Sequence, residues 1–142
     1  MIDTYFMDYE RKYHNMKKAL KRFIDAKSDF YSLSGVKYDD MPKAHGKSLG
    51  FDDLMANIEE LCNKYLDSKH EYLLEKDKCQ MVINKLENPV YKVIIEYAYI
   101  DFENDKKLAA SLKEFHNLDY SYSHLRRLKA NAIKEFEKVI QK

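Results

Sequence analysis

Close to the C-terminus, Tyr122, Ser123, Arg126, Arg127, Lys129, Asn131 and Lys134 gather the side-chain types that contact a nucleic-acid duplex. Arginine forks onto guanine, asparagine pairs with the adenine edge, and hydroxyl or ammonium groups hold phosphate. Stepping about 100° per residue with Leu125 turned inward, Ser123, Arg127, Ala130 and Lys134 point away from a core, with Arg126 and Asn131 on the flanks. The small side chain of Ala130 permits close approach. Arg126, Arg127 and Lys129 with Lys134 equally suit the plainer role of solvating one face of a packed helix. Tyr120 and Tyr122 flank the start of this segment, where they either touch a DNA backbone or staple the turn.

Other chemistries find less support. His14, His45, His70, His116 and His124 form no ligand pair with one another or with Cys62 and Cys79, so neither a metal nor a cofactor is expected. The two cysteines read as packing residues. The carboxylate pairs Asp39-Asp40, Asp52-Asp53 and Glu59-Glu60 lie in a connector or in first helical turns, with no apolar cleft to shift a pKa. Asp52 and Asp53 are instead expected to favour the positive end of a helix. Ser32, Ser34 and Ser48 belong to no nucleophile motif, so no catalytic residue is expected and the chain does not read as an enzyme. Of the 12 tyrosines, Tyr9, Tyr13, Tyr65 and Tyr72 fall on apolar seams, which favours packing over base stacking.

The elements that must position the C-terminal cluster are helices. Only 3 Gly and 2 Pro occur in 142 residues, which excludes all-β folds, P-loops and Rossmann domains, each of which needs turn glycines. With 45% hydrophobic and 13% aromatic residues the chain can bury a core. The fold class expected is all-α. Apolar residues at Ile2, Phe6, Tyr9, Tyr13, Met16, Leu20, Phe23 and Phe30 recur every three or four positions with Lys27 as the one gap, predicting one long helix from Ile2 to Phe30 with a coiled-coil-like seam. Gly35, Pro42, Gly46 and Gly50 then predict a connector over 35–50 through which no helix runs. A second long helix follows on Phe51, Leu54, Ile58, Leu61, Tyr65, Tyr72, Cys79, Val82 and Leu86, with polar Ser68 and Glu75 interrupting its seam.

Both helices would extend about 45–55 Å, matched in length for an antiparallel hairpin or for pairing between two chains. Asn88-Pro89 ends the second helix and opens a third carrying Val90, Val93, Ile94, Tyr97, Ala98 and Ile100. Asn104 or Asp105 caps a short helix from Lys106 to about Phe115, with Leu108, Ala109 and Leu112 on one face. After a polar stretch the last helix runs from Ser121 or Tyr122 to Ile140, burying Leu125, Leu128, Ala132, Phe136 and Val139. The expected domains are therefore 1–87, a helical hairpin for oligomerisation, and 89–142, a helix-turn-helix unit.

Charge divides the chain although its net value is only +1. Residues 1–50 hold 10 basic and 7 acidic groups, 51–104 hold 6 and 12, and 105–142 hold 9 and 5. A basic C-terminal module beside an acidic middle suits contact with phosphate at one end alone. No apolar stretch reaches the roughly 20 residues needed to cross a bilayer, the best, Val90 to Ile100, being broken by Lys92 and Glu96. Nothing near Met1 resembles a secretory leader, so the expected compartment is a reducing cytoplasm, without a membrane partner.

The order of residues from Asp119 to Ile133 (DYSYSHLRRLKANAI) resembles the recognition helix of sigma-70 region-4-like domains, with its Tyr-Ser start, apolar residue, Arg, and later Leu and Ala. With Leu108-Ala109, Leu112 and the run YKVIIEYAYI before them, the chain is similar to small phage regulators of the ArpU and RinA type. Met41-Pro42-Lys43, Gly46 and Asp52-Asp53 resemble a connector in related phage proteins of Gram-positive hosts, so the likeness spans about 38–136. Lys113 to Asp119 (KEFHNLD) is longer than the family's usual turn, which leaves the family's docking angle unassigned.

The resemblance implies a sigma-like helix-turn-helix and a phage or prophage regulator that switches on late genes in a bacterial host. On this reading double-stranded DNA is the partner. Ser123, Arg126, Arg127 and Asn131 lie near bases, and Tyr122, Lys129 and Lys134 near phosphate. The heptad seams imply a homo-oligomer, most simply a dimer. The alternative is a coiled-coil adaptor that binds a protein such as RNA polymerase, and a fainter one is an RNA binder.

Overall fold

The computed structural model describes residues 1–36 and 44–141, and its helices run through Gly35, Gly46 and Gly50 without stopping at them. They are α1 (Ile2–Tyr5), α2 (Met7–Val36), α3 (Ala44–Ile83), α4 (Pro89–Ile95) with a π-helical turn (Glu96–Ile100), α5 (Asp105–His116) and α6 (Tyr122–Gln141). Among the described residues no strand occurs, and the expected all-α class holds. None of these helices is long and apolar enough to cross a membrane.

Two boundaries differ from the expectation drawn from periodicity. The first helix breaks at Phe6, whose φ of −88° and ψ of 1° leave the helical range while its N–H still donates to the Ile2 carbonyl. Apolar spacing persists across this break because the segments on both sides bury the same face: Ile2, Phe6 and Tyr9 are all buried. The connector expected over 35–50 is shorter than that span. Its residues 37–43 lie outside the described residues, but α3 already begins at Ala44 and runs through Gly46 and Gly50. A glycine costs a helix about 1 kcal/mol relative to alanine, a penalty that leaves a helix possible where nothing terminates it. As a result Asp52 and Asp53 sit two turns inside α3 and do not meet its positive end.

The expected starts of α4 and α5 are observed, but α3 ends at Ile83, five residues before the stop expected at Asn88-Pro89. Asn88 precedes Pro89 in an extended conformation and its side chain accepts a hydrogen bond from the Val90 N–H at 2.9 Å. Asn104 does the same for α5, accepting from the Lys107 N–H at 2.9 Å. Proline at the first helical position gives up an N–H that would have had no partner, and the asparagine oxygen satisfies the next one available. Gly46 and Gly50, expected to stop a helix, bring neither a capping side chain nor a missing N–H.

The chain divides into two compact units, Met1–Tyr9 with Leu74–Lys142, and Glu10–Leu73. In the second, ring contacts match later positions of α2 to earlier ones of α3: Tyr13 meets Tyr72 with centroids 5.6 Å apart, and Phe23 stacks on Tyr65 at 6.3 Å. These are residues of the two predicted seams. Its outer side still carries apolar groups, among them Ile24, Tyr31, Met55 and Leu66, which are 41–61% exposed.

The first unit holds the main core. Cys79 and Ile83 at the end of α3, Leu86, Ile94 and Ile95 of α4, Ile100, Leu108 and Leu112 of α5, and Leu125, Ala132 and Phe136 of α6 are all buried. The N-terminal segment is built into it. Phe6 stacks on Tyr99 at 5.1 Å and on Phe136 at 5.3 Å, while Tyr5 meets Phe136 edge-on at 5.3 Å. Aromatic pairs in such offset or edge geometry contribute about 0.5–1.5 kcal/mol each beyond their burial.

Tyr9 is fully buried, and its hydroxyl donates to the Ile100 carbonyl at 2.8 Å. Its ring stacks on Phe102 at 5.7 Å. These contacts meet the chain where it is least regular. In the π turn the Asp101 N–H reaches back to the Glu96 carbonyl at 3.0 Å, and Phe102 then takes a φ of 56°, which is costly for an aromatic residue. The hydroxyl of Tyr9 satisfies a carbonyl that a regular helix would have used internally.

Two measurements test this core. Tyr9→Phe, which orphans the Ile100 carbonyl while keeping the ring, is expected to cost about 1–3 kcal/mol in urea unfolding; an unchanged midpoint would show that water replaces the bond. Burial, then the nearby Glu75 carboxylate, pushes the Cys79 thiol up to about 11, against a small opposing effect from Lys78. A thiol neutral in the fold and more acidic in the unfolded chain loses its stabilising contribution as pH rises from about 9 toward 11. At pH 7.5 a thiol reagent should therefore label Cys62 in the native protein and reach Cys79 only after unfolding, read by mass spectrometry.

Candidate nucleic-acid interface

The candidate interface lies on α6, and the segment before it sets the direction of that helix. α5 ends where Asn117 takes a left-handed conformation, φ 57° and ψ 34°, and donates its N–H to the Leu112 carbonyl. Leu118 donates to the same carbonyl at 3.0 Å. This double closure stops the helix and redirects the chain, and asparagine tolerates the left-handed region better than any other residue except glycine. The longer passage Lys113 to Asp119 is thus mostly helical. Residues 113–116 extend α5, and only residues 117–121 form the turn.

Ser121 then caps α6, its Oγ accepting from the His124 N–H at 3.3 Å. The Tyr120 ring meets that of His124 edge-on at 4.9 Å, holding the turn against the first turn of the helix. Behind them, Leu108 and Leu112 of α5 and Leu125, Ala132 and Phe136 of α6 are buried, so the two helices share one apolar side. The stripe read from the sequence is observed, with Leu128 and Val139 only half-buried at its edges.

With that side turned inward, Tyr122, Ser123, Arg126, Arg127, Asn131 and Lys134 stand exposed, Tyr122 at 53%. Ala130 lies exposed among them. Lys129 is placed differently. It is half-buried, and its Nζ lies 3.1 Å from Asp105 Oδ1 at the start of α5. With 28% and 40% of the two side chains exposed, this pair joins the helices at their surface and contributes at most about 1 kcal/mol.

Ser121, His124, Arg127, Leu128 and Asn131 line an open hollow of about 330 Å³ on this face. Sequence reasoning passed over Ser121 and His124 as members of the site. The signal that could have found them is spacing: His124, Arg127 and Asn131 follow one another at three and four residues, so they share a side of the helix. No acidic residue occupies the first turn of α6.

Elsewhere in this unit polar groups serve the packing of α4 and α5. Tyr97 Oη lies 3.0 Å from His116 Nε2, and Ser111 Oγ donates to Glu103 Oε1 at 3.0 Å. Partial burial, followed by the charges of Glu103, Asp101 and Glu96, raises the Tyr97 hydroxyl above the usual tyrosine range. Among the described residues no group of three His, Cys, Asp or Glu side chains is placed to hold a metal ion.

No family model, curated protein or solved structure matches the chain.

The turn is testable by its dihedral. Asn117→Gly should leave stability unchanged or slightly raised, whereas Asn117→Val should lose about 1–2 kcal/mol in thermal unfolding. Equal tolerance of both would mean that the left-handed turn does not persist in solution.

Proposed function

We propose that the protein is a sequence-specific double-stranded DNA-binding transcriptional regulator in which α5, the turn at 117–121 and α6 act as a helix-turn-helix. The observation that carries this reading is the common exposure of Ser123, Arg126, Arg127, Asn131 and Lys134 on the outer side of a helix whose other side is buried. Guanidinium and carboxamide groups are the ones that discriminate base edges in the major groove, while Tyr122, Lys134 and Lys129 supply phosphate contacts at the margins. For Lys129 the contact requires exchange of its pairing with Asp105. The basic charge of 105–142 favours the approach to a duplex.

Its partner set follows from the same reading. A module of 9 basic and 5 acidic groups binds weakly alone, so pairing of two chains through the long helices α2 and α3 would let two modules engage two half-sites. Likeness to ArpU and RinA regulators adds the biological setting: a phage or prophage protein that activates late genes in the bacterial cytoplasm, with RNA polymerase as a candidate contact and no catalytic activity. The second reading, a coiled-coil adaptor, draws on Ile24, Tyr31 and Leu66, apolar groups left exposed on the long helices.

Fluorescence anisotropy with DNA fragments from the neighbouring genome, at two salt concentrations, tests the proposal. One fragment should be retained selectively and released steeply as salt rises. Arg126→Ala with Arg127→Ala should weaken retention at least tenfold and flatten the salt dependence by about one unit of slope for each lost phosphate contact. Equal, weak binding to every fragment, or retention unaffected by the double substitution, would favour the adaptor.

A further inference from the structure

Among the cations and polar groups of α6, the structure separates those already engaged from those free to read a sequence. Lys129 pairs with Asp105 at 3.1 Å and Lys138 with Glu135 at 3.3 Å. Arg127 and Asn131, in contrast, are exposed and line one hollow together with His124 and Ser121. We propose that this hollow is the base-reading centre, with Arg127 forked onto a guanine, Asn131 paired with an adenine, and His124, which no motif assigned, as a third contact at its mouth. The inference rests on the DNA-binding reading above and deepens it by naming what the site recognises.

The spacing limits the target. Arg127 and Asn131 are one helical turn apart, a rise of about 6 Å along α6. Base pairs stack about 3.4 Å apart, so a helix lying along the major groove places these two side chains on adjacent pairs or on pairs separated by one. Arginine presents two parallel donors that match guanine O6 and N7. The asparagine amide offers a donor and an acceptor that match adenine N7 and N6. Ser121 is committed to the cap through the His124 N–H, which fixes the His124 backbone and leaves its ring facing the same groove beside Tyr120. Arg126 lies outside the hollow, which moves it from the base edges, where the broader reading put it, to the phosphate backbone.

Each half-site is therefore expected to contain a guanine and an adenine no more than one pair apart. Selection of the full-length protein against a random double-stranded DNA library, followed by affinity measurements on single-base variants, reads this directly. The wild type should enrich that G/A step. Arg127→Ala should lose about ten- to a hundredfold at the guanine while tolerating every base there, Asn131→Ala should do the same at the adenine alone, and Arg126→Ala should weaken all sequences alike. His124→Ala should lose affinity without loosening either position. All four residues are exposed, and circular dichroism melting confirms that each variant folds before binding is read. An enriched motif whose preference survives both Arg127→Ala and Asn131→Ala would overturn the base-reading centre and leave the DNA-binding function standing. If no motif is enriched and binding is equal for all duplexes, both fall together.

Discussion

The hydrogen bond from Tyr9 to the Ile100 carbonyl joins positions 91 residues apart and closes the core of the C-terminal unit. A buried hydroxyl without a partner is costly, and so is a buried carbonyl, so the contact relieves two penalties at once. The same side chain stacks on Phe102, where the backbone leaves the π turn with a positive φ. α4 can thus end irregularly and still deliver the chain to Asn104, which starts α5. The cap of α5, its left-handed end at Asn117 and the orientation of α6 all lie downstream of that junction.

Packing around Phe136 transmits the constraint to the exposed face. Phe6 and Tyr5 both rest on its ring, so the first residues of the chain help hold the helix that bears the candidate interface. With Leu125 and Ala132 also buried, α6 has one rotational setting compatible with a filled core. That setting determines which residues stand outward. Rotation by about 100°, one residue's step, would bury Arg126 in one sense and His124 with Asn131 in the other, and an unpaired buried guanidinium is prohibitively costly. The exposed cluster is accordingly a consequence of core complementarity as much as of its own polarity.

Charge acts on a different scale from packing. The described ion pairs are at the surface, most of them within one helix turn, such as Glu60 with Lys64, and each contributes little to stability. Their effect is to compensate charge locally. Cations outside such pairs dominate the field of the C-terminal region, and on α6 these include Arg126, Arg127 and Lys134. Lys129, whose partner Asp105 sits on the neighbouring helix, links the electrostatics of the candidate interface to the α5–α6 junction.

Much of this was legible from residue order. The cap Asn104, the proline at the head of α4, the buried stripe of α6 and its exposed opposite all follow from local stereochemistry and from the 3.6-residue period, which act within a few neighbours. What could not be read locally was decided by contacts distant in sequence. The break at Phe6 preserves the apolar period, so periodicity cannot reveal it. Gly46 and Gly50 look like stops, yet a glycine only weakens a helix and does not forbid one. Nothing in the order of residues pairs Lys129 with Asp105, 24 residues earlier, which the fold brings within 3.1 Å. Sequence alone therefore determined which faces could be buried and where helices could begin. Tertiary structure decided which groups remain free on the outer face, because pairing and exposure depend on what packs alongside and on nothing a single helix contains.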